Sequence, residues 1–572
     1  MKANKIEEKV LDHLNKIYSD SKNNKVLSKQ IVEFIKPLKS KEVNSDSLWN
    51  EEDIFLITYG DSIIDSKDKG LYSLEKFVEQ YLHNSISHIH ILPFFPYSSD
   101  DGFSIIDYYK VNPKLGNWKN INSISKKYKL MADLVINHIS AESSWFKDYL
   151  ENSNSNYKDY FIEKSIEEDL SMVVRPRTSP LLTKFKNNTG EKYIWTTFSE
   201  DQIDLNFHNP EVLLETIKIL CFYIQQGVKI IRLDAIAFLW KESNTDCLHR
   251  PQTHEIVKLI RSILYFIDPS LLLITETNVP NKENLSYFGN EDEANMVYQF
   301  SLPPLLLHGL YFQNTSEISK WLKSLPELSD QCTFFNFTAS HDGIGVRPLE
   351  GIVNQKEQKI LYNYIENKIG KISYKTNSNA EKSPYELNTT FLDALQETNE
   401  GKDKFQNARF ILSQTVMMTL KGIPAFYIHS ILGTKNDWEK YKKTQANRSL
   451  NRKSWQKQDL LQHLNSESKV FNTLINRIQI RKSIKEFNPN TKQEIIFTSN
   501  NKLLIIKRYH KDKKQQLIAI FNFSKQRQQL PKELLSTLHL PIKDEISQVI
   551  YYNTKHLEII FPYQCSWLRT VL

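Results

Sequence analysis

Cysteine is scarce in this chain: Cys221, Cys247, Cys332 and Cys565 are the only four in 572 residues, they lie far apart, and no C-x-x-C pair occurs. That spacing signals neither a disulfide framework nor a zinc site, and it points to a reducing compartment. Long apolar runs are missing too, since no stretch approaches the roughly 18 residues a spanning helix requires. The N-terminus, MKANKIEEKVLDHLNKIYSD, lacks the apolar core of a signal peptide. A cytoplasmic protein with no membrane partner is expected. Nor is there a surplus of one charge: 74 Lys+Arg against 67 Asp+Glu leave +7, without a concentrated basic tract. Nucleic acid is therefore not an expected partner. The expected partners are small molecules, and the chain is expected to be a monomer or homodimer.

What is present is a packable composition, 40% hydrophobic and 12% aromatic, in a chain longer than one core usually supports. Residues 1–50 carry Val10, Leu11, Leu14, Ile17 and Tyr18 at helical spacing, which predicts an amphipathic helical extension packed on the main domain. Beyond it, eight short apolar runs alternate with helical stretches: IFLITYG from 54, HIHILPF from 88, KLMADLVINH from 129, VKIIRLDAIAF from 228, LLLITET from 271, NMVYQF from 295, CTFFNFTASHD from 332 and GIPAFYIHS from 422. Eight βα units predict the α/β class and a (β/α)₈ TIM barrel over 51–485. Uneven spacing places inserted subdomains at about 146–200, with the Pro-stiffened RPRTSPLLT, and at 351–421. After 485 short strands with turns replace helices, which predicts a C-terminal antiparallel β domain over 486–572.

Catalytic groups of such a barrel come from the C-terminal ends of its strands. Run three ends in Asp133, Asn137 and His138, run four holds Arg232 and Asp234, run five ends in Glu276, and run seven ends in His341 and Asp342. A single buried Asp or His is usually structural. Three carboxylates converging on one rim are costly to desolvate and repel one another, an arrangement that stability alone has little reason to build.

The segments ADLVINH, IIRLDAIAF, LLITETN and FTASHDG, in this order, resemble the four hallmark segments of the alpha-amylase superfamily, glycoside hydrolase family 13. The resemblance implies Asp234 as nucleophile, Glu276 as general acid/base and Asp342 as the carboxylate that holds sugar hydroxyls and stabilises the transition state. Retaining transfer needs one carboxyl ionised and one protonated. Arg232, two residues before Asp234 on the same strand face, would keep Asp234 ionised, and crowding by the other carboxylates would keep Glu276 protonated.

ITYGDS at 57–62, HILPFFPYSSDDGFSIIDYYKV at 90–111, RPR at 175–177, QFSLPPLLLHGL at 299–310 and SHDGIGVRPLEG at 340–351 are similar to the sucrose phosphorylase branch. That likeness implies that Asp100, His138, Arg232, His341, Asp342 and Arg448 hold the transferred glucose. It places Phe103, Phe198 and Phe238 as aromatic walls and Gln202 at a subsite contact. It makes inorganic phosphate a co-substrate and calls for no cofactor and no metal; Asn137, which in many amylases helps hold calcium, is expected here as a supporting hydrogen-bonding residue. Arg175 and Arg177 are the expected phosphate or acceptor ligands, because guanidinium forks suit phosphate oxygens. RPRTSPLLT, ITETN and DQIDLNFHNP look more like the glucosylglycerate phosphorylases than like sucrose phosphorylases proper. The implied reaction is glucosyl transfer from 2-O-alpha-glucosylglycerate to phosphate. Alternatives are a sucrose or sucrose 6-phosphate phosphorylase, then an alpha-glucosidase or transglucosidase.

Overall fold

A computed structural model describes residues 3–40, 47–187, 190–376, 381–466, 469–510 and 515–571. Positions 1–2 and 41–46 of the N-terminal extension, 377–380 of the second insertion and 511–514 of the C-terminal part lie outside the described residues.

The eight apolar runs form eight strands, β1 Phe55–Thr58, β2 His88–Ile91, β3 Lys129–Leu134, β4 Val228–Leu233, β5 Leu272–Thr275, β6 Met296–Tyr298, β7 Thr333–Phe337 and β8 Ile423–Tyr427. They close into one parallel barrel in chain order, β8 returning to β1 through Phe55 opposite Ala425. Near-continuous burial of every strand explains why the runs are solidly apolar, since a barrel strand faces the core inside and helices outside. Register then decides what meets at the rim. Arg232 pairs with Asp133 on one side and Ile274 on the other. One period further along β4 and β5, Asp234 and Glu276 therefore stand at one level on the same face.

Two helices precede the barrel, α1 Ala3–Ile17 and α2 Ser21–Ile35, separated by Asp20, whose carboxylate caps α2 by accepting from the N–H groups of Lys22 and Asn23. Ile6, Val10, Leu14 and Ile17 form the buried stripe of α1. It lies against α3, Pro251–Ile267, where buried His13 contacts Glu255 Oε1 (2.6 Å) and Ser262 Oγ (3.2 Å).

Both stretches flanking the rim carry antiparallel hairpins, Leu182–Asn187 with Gly190–Trp195, and Lys371–Thr376 with Lys382–Asn388. Ile344–Gly345, just past β7, joins the second hairpin as a third strand. The helix Gln406–Thr419 then returns the chain to β8 as part of the barrel wall. A six-stranded antiparallel sheet spans Gln493 to Thr570. It docks on the end of that last helix, where Trp567 Nε1 donates to Thr419 Oγ1 (2.9 Å) and Arg508 Nη1 to the Thr419 carbonyl (2.7 Å). Among the described residues no helix is long and apolar enough to cross a membrane.

Candidate active site

The acidic centre is organised around one guanidinium. Arg232, 2% exposed, directs Nη1 to Asp133 and to Asp234 Oδ1 (2.7 Å), while Nη2 lies 4.0 Å from Glu276 Oε2. Asp133 also bonds His90 Nε2 (2.7 Å). The charge that the sequence assigns to Asp234 alone is thus divided between two carboxylates. Ala235 takes a left-handed conformation, φ 48°, unusual for a residue with a Cβ. That turn aims its N–H at Glu276 Oε2 (3.0 Å), while the Glu276 N–H donates to the Leu233 carbonyl (3.0 Å). Strained backbone next to Asp234 therefore fixes the neighbouring carboxyl.

Burial, assisted by the negative neighbours Glu276 and Asp133, pushes Asp234 well above the ordinary carboxylate range against the pull of Arg232. Burial and the Asp342 charge push Glu276 up as well. Asp342 goes the other way: burial would raise it, but Arg448, Arg452, Arg232 and Arg177 together hold it below its usual value. Arg448 Nη1 lies 2.9 Å from Asp342 Oδ1, and its other edge grips Glu386 through 3.1 and 2.6 Å bonds.

These groups line a cavity of about 620 Å³ at the barrel rim. Asp100, Phe103, His138, Arg177, Phe198, Gln202, Asp234, Phe238, Glu276, His341, Asp342 and Arg448 all face it. Arg232 lies one layer beneath, reaching it through Asp234. Phe103 stacks on His341 with centroids 4.8 Å apart and planes 7° from parallel, and Phe198 meets Phe238 edge-on at 5.3 Å. Asp100 and Asp101 sit in left-handed backbone, φ 50° and 48°. The pair is held by Arg452, which donates to Asp101 Oδ2 (2.9 Å) and to the His341 carbonyl (2.8 Å). Outside the cavity a wider vestibule is walled by Arg177, Thr178, Tyr374, Lys382, Asn447 and Arg448 among others.

One assigned ligand is displaced. Arg175 does not face the cavity: its Nη1 donates to the Ser179 carbonyl (2.8 Å), so the guanidinium braces its own loop, and Arg177 alone of the pair enters the site. An R-P-R string fixes spacing but not direction, because the two arginines flank a proline turn. Conversely, sequence reasoning missed Tyr385 and Glu386 of the second hairpin and Asn278 beyond β5, all of which line the cavity. Tyr385 lies under Arg177, 5.8 Å from guanidinium carbon to ring centroid. In SPYELN no signal marks them, since a hairpin inserted after β7 is not placed by barrel periodicity.

Asn137 takes the supporting place expected of it. Its Oδ1 accepts from buried Lys241 Nζ (2.6 Å), which also lies 2.7 Å from Asp204 Oδ2. Among the described residues no group of three or more His, Cys, Asp or Glu side chains is arranged to hold a metal.

Residues 59–346 match the alpha amylase catalytic-domain family. A glucosylglycerate phosphorylase of Escherichia coli (strain K12) is 40% identical over 571 residues, covering 99% of this chain and all of the relative. A sucrose phosphorylase of Streptococcus mutans serotype c is 28% identical over 80% of this chain and 92% of its own length. In fold, the chain is similar to the crystal structure of sucrose 6F-phosphate phosphorylase from Thermoanaerobacter thermosaccharolyticum. That likeness has a TM-score of 0.74 at 24% identity, over 84% of this chain and 96% of the other.

Proposed function

The chain belongs to the alpha-amylase family, and from that membership we infer a retaining phosphorylase that moves an α-glucosyl group from 2-O-α-glucosylglycerate to inorganic phosphate, giving α-glucose 1-phosphate and glycerate. The observation that carries the substrate choice is the 40% identity to a glucosylglycerate phosphorylase over the whole length, against 28% to a sucrose phosphorylase.

In this reading Asp234 and Glu276 hold one proton between them. Burial raises both carboxyls, but the 2.7 Å bond from Arg232 opposes that rise at Asp234; in the attacking form the charge is on Asp234 and the proton on Glu276, whose own contact with that guanidinium is 4.0 Å. Asp234 attacks the anomeric carbon as the glycosidic C–O bond breaks and Glu276 passes its proton to the departing glycerate oxygen. A phosphate oxygen then attacks the same carbon from the vacated side, the bond to Asp234 breaks, and a phosphate proton returns to Glu276. Two inversions leave the α configuration. Asp342, kept ionised by Arg448, supports the positive charge developing on the sugar. Arg177 supplies the fork for phosphate and for the glycerate carboxylate in turn. No metal or other cofactor enters the proposal, since the Lys241 ammonium already serves Asn137 and Asp204. The four cysteines, buried and unpaired, suit a cytoplasmic enzyme. We propose a monomer or homodimer: the nucleophile, the acid/base and the sugar-holding groups gather in one cavity of the chain, so the chemistry calls for no second copy.

Double displacement predicts parallel lines in double-reciprocal plots of rate against glucoside at several phosphate concentrations. Intersecting lines, or a β-configured sugar phosphate, would reject it.

A further inference from the structure

We propose that the mouth of the site is a cationic collar set over an acidic floor, in which Lys382 selects for anionic substrates by its charge. Five cations wall the vestibule, Arg177, Lys382, Lys440, Arg448 and Arg452, against two acids, Asp100 and Asp101. Two of the five are already neutralised. Arg448 lies between Asp342 (2.9 Å) and Glu386 (2.6 Å), and Arg452 bonds Asp101 (2.9 Å) with Asp100 3.7 Å away. Among the described residues, Arg177, Lys382 and Lys440 take part in no ion pair. Lys440 Nζ donates to the Arg452 carbonyl (2.6 Å), which leaves its charge uncancelled, and Arg177 rests on the Tyr385 ring. Lys382 is exposed at the start of its hairpin strand, and its neighbour in sequence, Glu381, does not wall the vestibule.

Below the collar the balance reverses. Asp234 and Glu276 share one proton, Asp342 and Glu386 bracket the single guanidinium of Arg448, and Arg232 beneath them is offset by Asp133, so the floor carries net negative charge. An anion is therefore attracted by the collar and repelled by the floor, whereas a neutral glucosyl group is indifferent to both. This rests on the glucosylglycerate phosphorylase reading, in which donor and acceptor are both anions. A donor with a sugar at one end and a carboxylate at the other is oriented sugar-down as it enters. Phosphate is held at the mouth, on the side from which it attacks, and kept out of the glucosyl pocket. Lys382 touches neither reacting carboxyl, so its contribution is one of charge alone.

The test compares full-length wild type with Lys382→Gln and Lys382→Glu. It scores kcat/KM for glucosylglycerate, for phosphate and for α-glucosyl fluoride, a donor without charge, between about 20 mM and about 500 mM NaCl. At low salt the value for glucosylglycerate should fall about threefold in Lys382→Gln and about tenfold in Lys382→Glu. The fall should be steeper for the phosphate dianion and absent for the fluoride. At high salt every loss should shrink below about twofold. A residue that merely shapes the hairpin would lower all three alike and ignore salt. A loss on the fluoride as large as on glucosylglycerate, a loss that persists at high salt, or an unchanged Lys382→Glu would overturn the proposal. A wild type that phosphorolyses the fluoride but not glucosylglycerate would instead reject the substrate reading, and the phosphate values would still decide the collar.

Discussion

Asp234 carries opposed demands, because a nucleophile must be ionised and burial opposes ionisation. Its pKa is raised in the fold, so the folded state is favoured most where Asp234 is protonated, below the ordinary aspartate value. That advantage is lost as pH rises from there toward the folded value. At neutral pH the residue therefore costs stability. Asp234→Asn should abolish glucosyl transfer and raise the melting temperature at pH 7 by about 1–3 °C, with the gain disappearing near pH 4 and below. A pH series of thermal melts checks it, and a variant less stable than wild type at pH 7 contradicts it. The two arginines of RPR separate as cleanly. Arg177→Gln should raise the KM for phosphate by roughly tenfold or more, the loss of a charge-assisted bond or two. Arg175→Gln, which removes only the brace to Ser179, should leave that KM within about threefold. Initial rates across a phosphate series distinguish them. Here sequence and structure part company: the proline between the arginines fixes their separation, but which of them faces the cavity depends on a fold that no local pattern encodes.

At the scale of elements, α1 is held by a stripe of four buried side chains and one buried histidine contact, and none of its residues lines the catalytic cavity. Leu14→Ala should cost about 2–5 kcal/mol of stability without changing kcat for phosphorolysis, measured by urea denaturation beside initial rates. A large fall in kcat in the folded variant would mean the extension reaches the site. The strands were legible because a barrel strand buried on both faces must be solidly apolar. The rim carboxylates were legible because they lie at or near the ends of apolar runs four, five and seven, within the hallmark segments, and strand period two puts Arg232 with Asp234; that Glu276 stands beside them came only with the pairing of Arg232 and Ile274. The hairpin Lys371–Thr376 with Lys382–Asn388 was not, as its strands KISYKT and KSPYELN are mostly polar and Pro384 interrupts the second. Glu386 thus came into view only once the fold set it against Arg448. Lys241 was hidden for a related reason: its ammonium is buried by segments far apart in the chain, and a lysine in sequence reads as surface.

At the scale of the whole molecule, the barrel supplies the carboxylates, and the two insertions supply Arg177 from one side and Tyr385 and Glu386 from the other. The chemistry at Asp234 and Glu276 is that of any retaining α-glucoside enzyme. The choice of phosphate over water and of glycerate over fructose must lie in the parts the insertions add. The decisive measurement is the initial rate of α-glucose 1-phosphate release by the full chain with inorganic phosphate, from 2-O-α-glucosylglycerate and from sucrose side by side. The account predicts fast, phosphate-dependent release from glucosylglycerate and at least about a hundredfold lower kcat/KM on sucrose, the discrimination a site built around a carboxylate ligand can give. Faster turnover of sucrose, or glucose released at a rate indifferent to phosphate, would contradict it.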